Sequence, residues 1–335
     1  MKIFNRTYND IITTENLLYA WESFLPGKKK KSDVIIFQAR LMDNIFDLQQ
    51  ALKTKTYEHQ PYYSFNISDP KPRNIHKASV RDRLLHHLLY QELYSFFDTK
   101  FIYDSYSCRL EKGTHRAMRR FQEMANRVSK NNTRTCWVLK CDIKKFFATI
   151  NHTVLKLILA RYIEDGDILW LLGKVIDSFH TPGKSGVGLP LGNLTSQLLV
   201  NIYMNEFDQF VKRQLKVAQY VRFADDFVFL HANKQYLESL IPTLEDFLGY
   251  HLGLQLHERK VFLKTIDSGV DFLGWVHFSS HRVPRTTTKR RMLKRIQQHP
   301  EDATIASYRG MLQHGNSFGL QADIEQIISK YTPHA

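Results

Sequence analysis

The chain has 335 residues, 47 Lys and Arg against 33 Asp and Glu, and a formal charge of +14. That length suits two domains or one large lobed one, and 43% hydrophobic with 13% aromatic residues excludes wholesale disorder. A pI near 9.5 makes a polyanion the first partner to consider. No apolar run reaches the ~18 residues of a membrane span, and MKIFNRTYND lacks the apolar stretch of a secretory leader. The expectation is a cytoplasmic protein with no membrane partner. Cys108, Cys136 and Cys141 form no CxxC pair, which argues against a disulfide scaffold or a zinc module.

The first 60 residues read as mostly helical, with Leu41, Ile45, Leu48 and Leu52 at helical spacing. The run Lys28 to Lys31 after Pro26-Gly27 marks an exposed loop. Between Pro61 and Arg73 aromatics alternate and Asp-Pro-Lys-Pro-Arg follows, which suits an extended hairpin. Residues 80–97 are helical again, with a stripe of Leu84, Leu85, Leu88 and Leu89. Residues 135–142 alternate as a strand ending on Asp142. Asn151 then caps a helix whose Leu155, Ile158, Leu159 and Tyr162 share a face. Glycines and prolines make 181–193 a loop, and it feeds a long helix from Leu194 through Phe210. Residues 219–230 are two short apolar strands around an acidic pair, hence a hairpin. An amphipathic stretch follows at 234–252, with Pro242 breaking its pattern. Further strands are expected at 254–263 and 270–278. From 282 to 295 come Arg282, Arg285, Lys289, Arg290, Arg291, Lys294 and Arg295 with no acid among them, so a boundary is placed near residue 280. Hairpin-joined strands interleaved with helices indicate an α+β fold with a largely antiparallel sheet.

Asp225-Asp226 stands between Phe223 and Phe227 on an apolar hairpin, where two like charges raise each other's energy. A solvated turn tolerates such a pair, and so does a bound cation. Asp142 also ends an apolar strand and precedes Phe146-Phe147. Three carboxylates at the ends of adjacent strands would make a hard oxygen site suited to Mg2+, with Mn2+ as a substitute. Two such ions activate an attacking hydroxyl and stabilise a leaving phosphate oxygen. A basic chain holding one acidic spot has what a polymerase needs. His86-His87 and His115 lack the spacing of zinc ligands and read as helix-face or RNA-facing residues. Cys136 and Cys141 read as core.

LKCDIKKFFATI, GLPLGNLTSQLLVNIYMNEFD, YVRFADDFVFL, LQLHERK and VDFLGW stand in the order and spacing of the palm motifs of reverse transcriptases. KPRNIHKASVRDRLLHHLL and YDSYSCRLEKGTHRAM resemble the fingers motifs of the group II intron-like branch. LPLGNLTSQ has a Leu and a Gln where most reverse transcriptases carry Gln and Pro. With the short length and the basic tail containing SYRGMLQHGNSF, it is most similar to the enzymes of diversity-generating retroelements. The resemblance covers residues 13 to 320.

It implies a right-hand polymerase fold. Residues 1–133 would be an N-terminal extension and fingers, 134–280 a palm with part of the fingers (about 160–190) interleaved, and 281–335 a short helical thumb. Asp142, Asp225 and Asp226 would be the metal ligands with the carbonyl of Ile143, and Lys260 the catalytic lysine that protonates pyrophosphate. Lys71, Arg73, Arg81, Phe147, Leu191, Gly192 and Gln197 would form the dNTP site. The Phe147 ring would bar a 2′-hydroxyl, although Phe146 and Phe147 each also suit a core. Phe272, Leu273, Gly274 and Trp275 would be the primer grip, Trp275 suiting a packing role equally. The seven basic residues from Arg282 to Arg295 would hold nucleic acid. Two positions depart from the pattern: Phe223 where tyrosine usually opens the acidic motif, and Ala148 in place of an acid. The implied activity is RNA-directed DNA polymerisation of a template-repeat RNA into adenine-mutagenised cDNA, as in mutagenic retrohoming. The implied partners are template RNA, a DNA or RNA primer, dNTPs and a small basic accessory variability protein, in a bacterial, archaeal or phage-encoded setting. The alternatives are a stand-alone group II intron-like or phage-defence reverse transcriptase, and a non-catalytic RNA-binding protein on the same fold.

Overall fold

The computed structural model describes residues 2–68 and 72–329. The chain forms two compact units. The first combines Met1–Tyr103, Ile143–Lys216 and Leu244–Leu256; the second combines Asp104–Asp142, Val217–Thr243 and His257–Ala335.

Helices dominate the first unit. Thr13 caps Thr14–Phe24, whose buried Leu17, Ala20, Trp21 and Phe24 face the helix Val80–Asp98. Ser79 caps that helix by accepting from the Asp82 amide, and Leu84, Leu85, Leu88 and Leu89 are all buried. Each such leucine contributes about 1.5–3 kcal/mol of burial. Ile45, Leu48 and Leu52 are likewise the buried face of Leu41–Lys53. The hairpin near Pro61 is present as β1 (Tyr63–Ile67) and β2 (Arg73–Lys77), antiparallel with Phe65 opposite Ile75. Asn151 caps His152–Ala160 by accepting from the Val154 amide; Tyr162 lies past the helix end. The loop after residue 181 leads into Leu194–Gln209, which packs on Val80–Asp98 and winds on as a π-helical turn, Phe210–Gln214. Lys234–Leu252, of which the residues from Leu244 on belong to this unit, is one helix through Pro242, with Leu237, Leu240, Leu244 and Leu248 buried.

The second unit is built on sheets. β3 (Trp137–Asp142), β4 (Tyr220–Phe223), β5 (Asp226–His231) and β6 (Phe262–Thr265) form an antiparallel sheet in the order β4-β5-β3-β6. The helix Thr114–Ser129 packs on β4 and β5. Its Phe121, Met124 and Val128 share a core with Val138, Val221, Val228 and Leu230. β7 (Val270–Phe272), β8 (Trp275–His277) and β9 (Arg282–Pro284) make a second antiparallel sheet. Three helices, Thr286–Gln298, Asp302–Leu312 and Phe318–Ser329, close around Met292, Ile296, Leu312, Leu320 and Ile324. The α+β class with antiparallel sheets is thus as expected.

Two strand expectations need correction. Residues 254–263 are not one strand: Leu256 makes a single bridge to Ile143, Glu258–Lys260 is a 3-10 turn, and β6 starts at Phe262. The polar run His257 to Lys260 has no apolar alternation to bury. Instead the His257 amide bonds the Asp142 carbonyl and the Lys260 amide bonds the His257 carbonyl, closing the turn. Residues 270–278 are a hairpin, because Leu273 and Gly274 both take positive φ and reverse the chain. Among the described residues no helix is long and apolar enough to cross a membrane.

Candidate active site

The ladder between β3 and β5 sets Asp142 opposite Asp226, and Ala224-Asp225 makes the reversal from β4 to β5. Side chains alternate along a strand, so Lys140 shares the face of Asp142 and lies diagonal to Asp226. Val138, Val221 and Val228 supply the apolar part of that face. The carboxylates therefore end an apolar stripe, where desolvation is costly unless a cation is near. Two lysines provide it. Lys140 Nζ stands 3.2 Å from Asp226 Oδ2, and Lys260 Nζ donates to Asp142 Oδ1 at 2.8 Å. Burial pushes the Asp226 carboxyl up to about 7, with Asp142 and Asp225 adding to the rise and Lys140 opposing it. Asp226 Oδ1 is buried and has no hydrogen-bond partner. Hard oxygen donors, one of them buried and unsatisfied, suit a divalent cation. Among the described residues no three His, Cys, Asp or Glu side chains already converge as a metal cage.

Lys140 and Arg222 were not singled out from the sequence. Arg222 is fully buried; it donates to Ser105 Oγ at 3.0 Å and to the Ala224 carbonyl at 3.1 Å, bracing the residue before Asp225. The signal for both was available: a basic residue inside VLKCD or YVRF must find a partner when the strand is buried.

In the first unit, Phe146 is buried and Phe147 half-buried, the rings edge to face at 5.6 Å. The Phe147 carbonyl accepts from the Leu189 amide. Buried His152 ties the same loop down, with Nε2 2.7 Å from the Gly188 carbonyl and Nδ1 3.1 Å from Asp177. Leu191 accepts from the His76 amide on β2, Asn193 Nδ2 donates to the His76 carbonyl, and Gly192 is exposed between them. Gln197 is half-buried on the first turns of Leu194–Gln209. The structure thus fastens the Leu191–Asn193 turn to the β1–β2 hairpin. Arg73 opens β2 and is exposed; Lys71 lies outside the described residues. Arg81 is engaged locally, its guanidinium over the Tyr57 ring and bonded to the Glu58 carbonyl. Ile143 follows Asp142 and bridges to Leu256.

In the second unit, Phe272 and Trp275 are buried, and between them Leu273 and Gly274 make the half-buried turn of the β7–β8 hairpin, Leu273 packing on the core. Trp275 packs against Gly315, where an added Cβ would fall 2.2 Å from the ring. The basic run divides. Arg282 donates to the His314 carbonyl, Arg285 pairs with Asp271, and Lys289 pairs with Asp323 at 3.3 Å. Arg290, Lys294 and Arg295 are exposed and Arg291 half-buried. The reading of His86 as an RNA-facing residue is corrected, although it does lie on a helix. It is buried and stacked on His59, with burial pushing it down to about 3. His115 stacks on His314 at 3.7 Å. Cys136 and Cys141 are core, as expected.

A basic chain whose antiparallel sheet sets carboxylates side by side at strand ends has the outline of a class, the nucleic-acid polymerases. The chain matches the reverse transcriptase (RNA-dependent DNA polymerase) family over residues 67–277 and belongs to it. It is by family an RNA-directed DNA polymerase, and the family generally uses divalent metal ions. Protein YkfC of Escherichia coli K12 is 26% identical over 305 residues, 80% of this chain and 78% of that protein. Group II intron-encoded protein LtrA of Lactococcus lactis subsp. cremoris is 22% identical, over 79% of this chain and 45% of LtrA. Apo telomerase from Candida tropicalis is similar in fold, with a TM-score of 0.50 and 13% identity over 69% of this chain and 49% of that one. The chain spans less than half the length of those last two.

Proposed function

We propose that this chain is the reverse transcriptase of a diversity-generating retroelement, a right-hand polymerase that copies a template-repeat RNA with frequent errors at adenine. The β4-β5-β3-β6 sheet serves as palm, the β1–β2 hairpin and neighbouring helices as fingers, and the helices after Pro284 as thumb. Asp142, Asp225 and Asp226, with the Ile143 carbonyl, would hold the metal ions, Mg2+ or Mn2+. When bound, the ions lower the cost of ionising the primer 3′-hydroxyl and of charging the departing pyrophosphate.

The protein's own groups do the rest. Lys260 lies within reach of Asp142 and, being partly exposed, can turn to give a proton to pyrophosphate. Arg73, with Lys71 and Arg81, meets the triphosphate, and the Phe147 ring excludes a 2′-hydroxyl. The Leu273-Gly274 turn supports the primer end. Arg290, Lys294 and their neighbours hold the duplex by its phosphates.

The observation that carries the polymerase reading is the Asp142–Asp226 pairing across β3 and β5. The retroelement reading is carried by Leu191. At that position glutamine can hydrogen-bond the incoming nucleotide's sugar; leucine cannot, which forgoes about 0.5–1.5 kcal/mol of seating. An adenine–thymine pair, with fewer hydrogen bonds of its own, suffers most. A small basic accessory protein is the partner this reading implies. The likeness to LtrA favours a second reading, a stand-alone group II intron-like enzyme.

Sequencing the RNA that co-purifies with the protein, and the cDNA made from it, separates the two. A repeat-bearing RNA and errors concentrated at adenines support the retroelement. A structured intron-like RNA copied with even, low error supports the other.

A further inference from the structure

We propose that Lys140 is a positioning residue for the metal site: its ammonium holds Asp226 by Oδ2 and so fixes Oδ1 as the oxygen offered to the cation. This rests on reading Asp142, Asp225 and Asp226 as the metal ligands. The two oxygens of Asp226 have different surroundings. Oδ2 lies 3.2 Å from Lys140 Nζ, whereas Oδ1 is buried and has no partner. A carboxylate turns easily about its last bond, so without a fixed donor either oxygen could face either way. The donor is well anchored: Lys140 is 7% exposed, it sits mid-strand between buried Leu139 and Cys141, and its Nζ lies 5.8 Å from the Phe262 ring centre.

Lys260 is built differently. It stands on a short 3-10 turn with its side chain 45% exposed, and can leave Asp142 when a cation arrives. Lys140 has no such freedom. Its stem is held on the apolar face that Val138 and Val228 share, and an ammonium this buried needs a charged partner. It therefore stays on Asp226 whether or not the site is loaded, as a partner that orients a metal ligand does.

An ammonium beside a cation site has two opposed effects, and their signs differ. If Lys140 acted only by repulsion, removing it would tighten cation binding. If it orients the ligand, removing it weakens binding by about tenfold or more, the usual loss for such partners.

The test measures Mn2+ binding to the full chain by electron paramagnetic resonance of free Mn2+, without primer or nucleotide. Lys140→Met raises the Kd about tenfold, and Lys140→Arg, which keeps a charged donor, stays within about threefold of wild type. Melting temperature and RNA binding report whether each variant folds. Should Lys140→Met fail to fold, Lys140→Gln takes its place, with an intermediate loss expected. Unchanged or tighter binding in the variant that folds overturns the proposal. Asp226→Asn in the same assay keeps the two claims apart. If it loses Mn2+ while Lys140→Met does not, only the positioning role falls. If it binds as wild type does, the metal-ligand reading falls with it.

Discussion

Gly192→Ala perturbs the proposed nucleotide site through backbone geometry alone. The turn is fastened to β2 on both sides of Gly192, by the His76 amide to the Leu191 carbonyl at 3.0 Å and by Asn193 Nδ2 to the His76 carbonyl at 2.9 Å. Gly192 has φ +103°, and a Cβ there would lie 2.8 Å from Ile75 Cγ2. A side chain at such a φ costs roughly 1–2 kcal/mol, and the close approach adds roughly 1–3 kcal/mol. The sum, about 2–5 kcal/mol, is centred about 1.5 kcal/mol above the roughly 1–3 kcal/mol that two neutral hydrogen bonds return. The turn therefore comes off the hairpin rather than the unit unfolding. On the proposed assignment only the docked turn accepts a nucleotide, so apparent affinity would drop by the docked fraction. In steady-state primer extension the dNTP KM should rise about tenfold, while kcat at saturating dNTP and RNA affinity stay within about twofold. Adding Ile75→Ala removes the clash but not the φ cost and should recover part of the loss. An unchanged KM in Gly192→Ala would refute the reasoning, as would a fall in kcat with KM unmoved.

Phe147→Ala should admit ribonucleotides, lowering dNTP-over-rNTP discrimination in kcat/KM by at least about tenfold; Phe146→Ala, in the core, should lower the melting temperature instead. Arg290 and Lys294 are exposed and have no ion-pair partner among the described residues, so replacing both with Gln should flatten log affinity against log salt by about 1.5–2 units. Replacing Lys289, already paired with Asp323, should change that slope less. Burial against Phe121 and Phe272 pushes His277 down to about 4. Because the folded value is the lower one, the unfolded chain takes the proton first. The contribution is complete above about pH 6.5 and is lost as pH falls towards 4, by about 3 kcal/mol. Urea titrations of wild type and His277→Leu across that window should show a shallower acid loss in the variant.

Much of the fold was legible because burial left marks on single segments. The leucine stripe of Val80–Asp98, the Asn151 cap and the apolar strands around Asp142 and Asp225-Asp226 all follow from local periodicity. Asp142 and Asp226 could be paired in advance because a charge that ends a buried strand needs company. Long-range partners were not legible. Nothing near Arg285 or Lys289 in sequence announces Asp271 or Asp323, so an apparently uniform basic tail hides specific ion pairs. The burial of His86 is not legible locally, because His59, on which it stacks, lies 27 residues away. Residues 270–278 read as one strand because the period-two pattern passes over a turn made by Leu273 and Gly274. Lys140 is the intermediate case: a lysine in a strand is ordinarily solvated, and only the apolar setting of VLKCD marks this one as needing a partner.

The central claim is that the carboxylates on β3 and at the β4–β5 turn carry the chemistry and that RNA is held elsewhere. Primer extension on poly-rA with Mg2+, run beside RNA binding on the same preparations of wild type, Asp142→Ala and Asp225→Asn, tests it directly. The account predicts that both variants lose DNA synthesis and bind RNA nearly as wild type does. Extension at even about a tenth of the wild-type rate by either variant, a deficit of only ~1.4 kcal/mol, would contradict it.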